Sequence, residues 1–134
     1  RQGQMQGQES QEGQGPTESQ AAAKLMIDCL LLLGSLYAFN NDFIQATDLL
    51  EQARQLAEQI GRDDISLLAL GNLANLHAQQ GNYQQAILGF ENQRLALEKN
   101  KDVVNLNRCL NNLAQAYLDN HQAPKALPCF AASL

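Results

Sequence analysis

Residues 70–90 read LGNLANLHAQQGNYQQAILGF, and a similar pattern occurs forty residues before them and forty residues after them. Residues 30–50 read LLLLGSLYAFNNDFIQATDLL, and residues 110–130 read LNNLAQAYLDNHQAPKALPCF. When the three stretches are aligned, apolar and small residues share six columns: Leu30/Leu70/Leu110, Leu33/Leu73/Leu113, Gly34/Ala74/Ala114, Tyr37/His77/Tyr117, Ala46/Ala86/Ala126 and Leu50/Phe90/Phe130. Self-similarity at a fixed period of about 20–50 residues indicates a solenoid of stacked repeats.

Each forty-residue unit predicts two helices joined by a short polar turn. Asp63 and Asp102 are predicted to cap the helices that follow them, and Thr17 with Gln20 has the spacing of a capping box. Gly61 stands where a helix ends in a left-handed residue. The fold class is therefore all-α, a solenoid of stacked helix pairs. The predicted first helices are 20–39, 64–79 and 103–119, and the predicted second helices are 43–60, 83–99 and 123 to the end.

The composition argues against nucleic-acid binding and against a membrane span. The 134 residues are 45% apolar and 5% aromatic and carry a net charge of −5, which argues against a nucleic-acid partner. Residues 21–39 are strongly apolar, but Lys24 and Asp28 interrupt them, so we expect no membrane span and a cytoplasmic location. We predict a disordered Gln/Gly-rich tail or linker at 1–19 and three repeats at about 20–61, 62–101 and 102–134, the last one truncated.

No residue pattern indicates an enzyme. His77 and His121 have no metal-ligand or nucleophile pattern around them, and His77 occupies a column in which the other units carry Tyr, so a packing role is expected. Cys29 and Cys109 share a repeat column, which also suggests packing, and three cysteines are too few for a disulfide scaffold. We expect no catalytic site, no metal and no cofactor.

The aligned columns resemble the tetratricopeptide repeat, whose first helix carries Leu-Gly followed by Tyr and whose second helix carries Ala, an aromatic residue and Ala. The resemblance covers about residues 25–134. It departs from the family at the second Ala, which is Gln93 in unit two and Ser133 in unit three, and in lacking the helix-ending Pro. The forty-residue period is similar to the repeats of G-protein-signalling scaffolds and kinesin light chains.

The resemblance implies a right-handed superhelix whose first helices line a concave groove that holds an extended peptide or a partner helix. Carboxamides offer both donors and acceptors, which suits contact with a peptide backbone, although Asn and Gln could equally serve only to solvate an exposed face. Unit one looks apolar there, with Leu31, Leu32 and Phe39, and predicts an apolar anchor for the ligand. The peptide-binding residues implied in units two and three are Asn72, Asn75, Gln79, Arg108, Asn111, Asn112 and Gln115.

A variant of the family clamps the carboxylate of chaperone C-termini with Lys, Asn, Asn, Lys and Arg. The five corresponding positions here are Leu31, Ser35, Asn72, Arg108 and Asn112, so only Asn72 matches outright and that function is disfavoured.

The predicted function is a protein–protein interaction scaffold or adaptor. The alternative is an architectural spacer or self-association module without a dedicated peptide ligand. Because no polar helix follows the last unit, Leu127, Phe130 and Leu134 are expected to be partly exposed. Either more repeats follow, or this uncapped end forms a homodimer.

Overall fold

The computed structural model describes residues 17–132, and within that range it contains six α-helices. Consecutive helices form three stacked pairs, and each helix packs mainly on its neighbours in the chain. The predicted all-α solenoid is confirmed, and every predicted helix start agrees to within two residues. Residues 1–16 of the predicted tail, and residues 133 and 134, lie outside the described residues. The helices are α1 (Glu18–Phe39), α2 (Phe43–Gln59), α3 (Asp63–Gln79), α4 (Tyr83–Lys99), α5 (Val103–Asp119) and α6 (Ala123–Ala132).

The same three-residue turn joins every pair of consecutive helices. Its third residue donates its backbone N–H to a carbonyl five residues back, as Asp42 does to Tyr37 at 2.8 Å. Together with the left-handed second residue, this bond forms a Schellman motif, which satisfies the last carbonyls of the helix. Because the turn recurs every twenty residues, all helix pairs are connected alike and the solenoid is regular. The left-handed residues are Asn41, Gly61, Gly81, Lys101 and His121, so the prediction for Gly61 is confirmed.

The predicted helix caps are correct at two of three positions. Thr17 and Gln20 form the capping box, with both side-chain-to-backbone bonds at 3.2 Å. The Asp102 carboxylate accepts the N–H of the residue three positions later at 3.3 Å. The prediction for Asp63 was wrong, because α3 begins at Asp63 itself and its N-cap is Arg62, which makes no side-chain cap bond. The preceding Schellman turn ends at residue 62, so Asp63 lies in the first helical turn. Its negative charge there still stabilises the helix by interacting with the helix dipole.

Small residues set the distance between the helices of each pair. A Cβ added to Gly34 would lie 3.0 Å from the Leu50 side chain, and one added to Gly89 would lie 2.9 Å from the Ala74 Cβ. The largest buried cluster lies among α3, α4 and α5, and Phe90 is its bulkiest member. These small residues let α1 approach α2 and α3 approach α4 closely.

Helix α1 differs from the other first helices in length and in the composition of its outer side. It has 22 residues, against 17 in α3 and α5. Among the described helices it alone is long and apolar enough to cross a membrane. One such helix is weak evidence for a membrane span, because signal sequences and the core helices of soluble proteins pass the same test. Ile27 and Gly34 are buried against α2, whereas the outward side of α1 is exposed.

Candidate peptide-binding cleft

A cleft of about 470 Å³ lies between α3 and α5. Helix α3 contributes Asn72 and Asn75 to its walls, and α5 contributes Arg108 and Asn112. Each pair is spaced three or four residues apart, which places both members on one face of a helix. The structure thus brings four of the seven predicted residues together around one cavity.

The other three predicted residues lie outside the walls of this cleft. Gln79 is exposed at the last residue of α3, and Gln115 donates its amide to the Asp119 carboxylate at 3.0 Å. Asn111 occupies the same repeat column as Gly71, whose added Cβ would point at the second helix of its own unit rather than at the neighbouring first helix.

The two asparagines that repeat across the cleft have unused hydrogen-bonding capacity. Asn72 and Asn112 share a column and are both half-buried. Neither side-chain amide makes a hydrogen bond to any group among residues 17–132. A half-buried amide without partners is unfavourable compared with one that is bonded. A peptide backbone in the cleft would supply the missing donor and acceptor to each of them.

Arg108 gives the cleft an available positive charge. Arg54 and Arg94 form ion pairs with carboxylates of their own helices, and Arg62 in the turn before α3 pairs with Asp64 of α3, at 2.6–3.0 Å. Of the arginines in the described part of the chain, Arg108 alone has no carboxylate partner. Its guanidinium is exposed and can form a bidentate contact with a carboxylate brought by a ligand.

Gln93 forms part of the cleft and was not predicted to do so. Its Nε2 donates to the backbone carbonyl of Leu67 at 3.0 Å, so the side chain of an α4 residue crosses onto α3. A Cβ added to Gly71 would lie 2.5 Å from that nitrogen. In unit one the sizes of the two residues are reversed. Leu31 stands in the column of Gly71, and it packs against the cluster that contains Ala53, which stands in the column of Gln93. The departure from the family's Ala at residue 93 is therefore matched by glycine on the facing helix.

Four further polar residues line the rim at the ends of helices. Asp64 lies in the first turn of α3. Asn100 and Asp102 lie in the loop between α4 and α5, and Asn105 lies in the first turn of α5. Arg62 holds the pKa of Asp64 below its ordinary value through a side-chain hydrogen bond. These residues stand outside the groove columns that the family resemblance implies. Only the predicted positions of the turns between helices could have indicated that they line the cleft.

The histidines and cysteines do not form a catalytic constellation. Among the described residues no three His, Cys, Asp or Glu side chains are grouped to hold a metal ion. His121 lies in a turn, and His77 is half-buried with its Nδ1 lacking a hydrogen-bond partner among the described groups. The Cys109 thiol donates to the Phe90 carbonyl at 3.2 Å, and burial raises its pKa from 9.0 to about 12. It is therefore a protonated packing residue, not a nucleophile.

The packing prediction for the cysteine column holds for only one of its two members. Cys109 is buried between α4 and α5, as expected. Cys29 is exposed, so the prediction was wrong there, because no second helix among residues 17–132 covers the outward side of α1.

The fold is that of an α-helical repeat protein with a cleft between the first helices of its second and third units. Residues 26–91 match the tetratricopeptide repeat family model, which supports an assignment of the chain to the tetratricopeptide repeat superfamily. The chain is also similar to the solved TPR domain of FLU from Arabidopsis, with a TM-score of 0.76 and 17% identity over 83% of this chain and 93% of that one. No curated protein matches the chain. The superfamily makes it a protein–protein interaction module of a typically non-catalytic type.

Proposed function

We propose that the chain binds an extended peptide segment of a partner protein in the cleft between α3 and α5. The observation that carries the proposal is the pair Asn72 and Asn112, two half-buried amides in one repeat column that have no partner among the described residues and that line the same cavity. Amides at a repeated spacing can hold a peptide backbone independently of its side chains, which suits an adaptor or scaffold.

Arg108 adds a preference to this backbone contact. As the described arginine without a carboxylate partner, it favours a ligand with an acidic side chain or a C-terminal carboxylate near α5. Leu32 and Phe39 of α1 are exposed and offer an apolar anchor for a ligand long enough to reach unit one. Three free thiols suit a reducing compartment, so we place the scaffold in the cytoplasm.

The test begins with a random peptide library displayed on phage and selected against the wild-type chain. The dissociation constant of a selected peptide is then measured by fluorescence anisotropy for Asn72→Ala, Asn112→Ala and the double variant. A lost hydrogen bond of about 1 kcal/mol weakens binding roughly fivefold per amide and about thirtyfold in the double variant.

Asn111→Ala is the matched control, because it removes the same group one residue away but outside the cleft. It should leave the dissociation constant unchanged. Circular dichroism of each variant should remain that of the wild type. Equal affinities for the double variant and the wild type, or a library that yields no binder, would contradict the proposal.

A further inference from the structure

The wall of the cleft contains a hydrogen-bond acceptor that no described residue uses. Gln93 lines the cleft, and its Nε2 donates to the backbone carbonyl of Leu67 at 3.0 Å. Because a carbonyl oxygen can only accept a hydrogen bond, this contact fixes which end of the amide faces α3. The Oε1 of Gln93 therefore has a set direction, and it makes no hydrogen bond to any group among residues 17–132.

Gly71 leaves room for this amide on the surface of α3. A Cβ added to Gly71 would lie 3.1 Å from the Gln93 Oε1 and 2.5 Å from its Nε2, so a side chain there would push the amide aside. Gly71 stands four residues after Leu67 and on the same face of α3, so its missing side chain lets Gln93 reach the Leu67 carbonyl. The amide is thus held between the two helices of unit two, and both Gly71 and Gln93 line the cleft.

Packing alone does not require an amide at this position. In unit one the same two columns hold Leu31 and Ala53, which belong to one apolar cluster. Glycine is unfavourable inside a helix, and a half-buried amide oxygen without a donor is unfavourable as well. A donor supplied by a ligand would satisfy the oxygen of Gln93, which gives the Gly71–Gln93 pair a use that Leu31 and Ala53 do not have.

The groups that share the cleft with Gln93 favour an uncharged donor over a cation. The rim carboxylates of Asp64 and Asp102 already accept hydrogen bonds from the chain itself. The unpaired charge of the cleft is that of Arg108, which is positive. A cation at Gln93, beside the buried Leu97, would lose its hydration for one neutral amide oxygen, whereas a hydroxyl or a carboxamide would lose much less.

We propose that Gln93 is a specificity-determining residue of the cleft and that its Oε1 accepts a hydrogen bond from an uncharged side chain of the ligand, a hydroxyl or a carboxamide. This inference rests on the proposed function, because it needs a peptide in the cleft. It adds selection by side chain to the contacts that Asn72 and Asn112 are proposed to make with the peptide backbone. The preferred ligand therefore carries Ser, Thr, Asn or Gln at one position.

The test compares selections from the random phage library against the wild type and against Gln93→Met, which keeps the length of the side chain and removes both polar groups. The wild type should enrich Ser, Thr, Asn or Gln at one peptide position, and Gln93→Met should not. Gln85→Met is the matched control, because Gln85 is an exposed glutamine of the same helix outside the cleft, and it should enrich the same residues as the wild type. Circular dichroism checks that each variant is folded.

Dissociation constants measured by fluorescence anisotropy separate ligand recognition from helix packing. A peptide selected on the wild type should bind Gln93→Met about fivefold more weakly, and replacing its enriched residue by an apolar one of similar shape should weaken binding to the wild type by a similar factor. The two changes together should weaken binding no further, because they remove the same bond. Gly71→Ala is a second variant that retains Gln93 but displaces its amide, and it should also bind about fivefold more weakly.

Three results would overturn this inference and leave the proposed function standing. The first is a peptide whose binding is weakened by Asn72→Ala and Asn112→Ala but not by Gln93→Met. The second is a pair of factors that multiply when the peptide and Gln93 are both changed, because Gln93 would then act only through packing. The third is enrichment of Lys or Arg at the peptide position that depends on Gln93. A library without binders would instead contradict the proposed function, and this inference with it.

Discussion

Replacing Gly71 by alanine tests how Gln93 crosses between α4 and α3. The added methyl group would lie 2.5 Å from the Gln93 Nε2, a distance that forces the amide to move. The amide then loses its 3.0 Å bond to the Leu67 carbonyl. The clash involves the tip of a flexible side chain, so the helices themselves need not shift.

Two effects of similar size oppose each other in this variant. Alanine is favoured over glycine inside a helix by about 1 kcal/mol. Loss of one hydrogen bond costs about 0.5–1.5 kcal/mol. We therefore expect Gly71→Ala to change the free energy of unfolding by less than about 0.5 kcal/mol in the wild-type background. In a Gln93→Ala background there is no bond to lose, and the same substitution should stabilise the protein by about 1 kcal/mol.

The assay is equilibrium unfolding in urea, followed by circular dichroism, for the wild type, the two single variants and the double variant. The coupling between residues 71 and 93 should be about 1 kcal/mol. Gly34→Ala is a suitable control, because Gly34 faces Leu50 in a different unit and its effect should be the same with either residue at position 93. If Gly71→Ala stabilises both backgrounds equally, the reasoning about Gln93 is refuted.

Three further predictions concern the cluster around α4. Phe90→Ala removes the bulkiest buried side chain and should lower the free energy of unfolding by about 3–5 kcal/mol, measured by the same urea titration. A thiol reagent at neutral pH and low protein concentration should label Cys29 rapidly and Cys109 only on unfolding, because Cys109 is buried and its pKa is raised to about 12; equal rates would contradict this. Burial and the 2.9 Å bond to Glu91 raise the pKa of Tyr117 from 10.0 to about 12, so the contribution of this proton to stability should be constant below pH 10 and should be lost between pH 10 and 12. Tyr117→Phe should lessen that fall, and an unchanged alkaline profile would count against it.

Much of the fold could be predicted from the sequence because the information is local. Each helix is delimited by a turn of three residues, and the left-handed residue of the turn recurs every twenty positions, as at Gly61 and Gly81. The assignment of Asp63 as a cap failed by one residue, because the cap position depends on where the preceding turn ends.

The cleft could be predicted only in part. The positions of Asn72 and Asn112 follow from the column in which they stand. Gln93 could not be predicted as a wall of the cleft, because its contact with Leu67 joins residues 26 positions apart and depends on how closely α4 crosses α3 at Gly71. The packing role predicted for Cys29 failed for a related reason. The repeat column of a residue tells which side of the helix it lies on, but not whether a neighbouring helix covers that side.

Nuclear magnetic resonance of the side-chain amides can detect directly whether a peptide occupies the cleft between α3 and α5. A ¹⁵N-labelled chain is titrated with a peptide selected from the random library. We expect the amide resonances of Asn72 and Asn112 to shift on binding and those of Asn111 to stay unchanged. Shifts confined to the outer sides of α2 and α4, with Asn72 and Asn112 unchanged, would contradict this expectation.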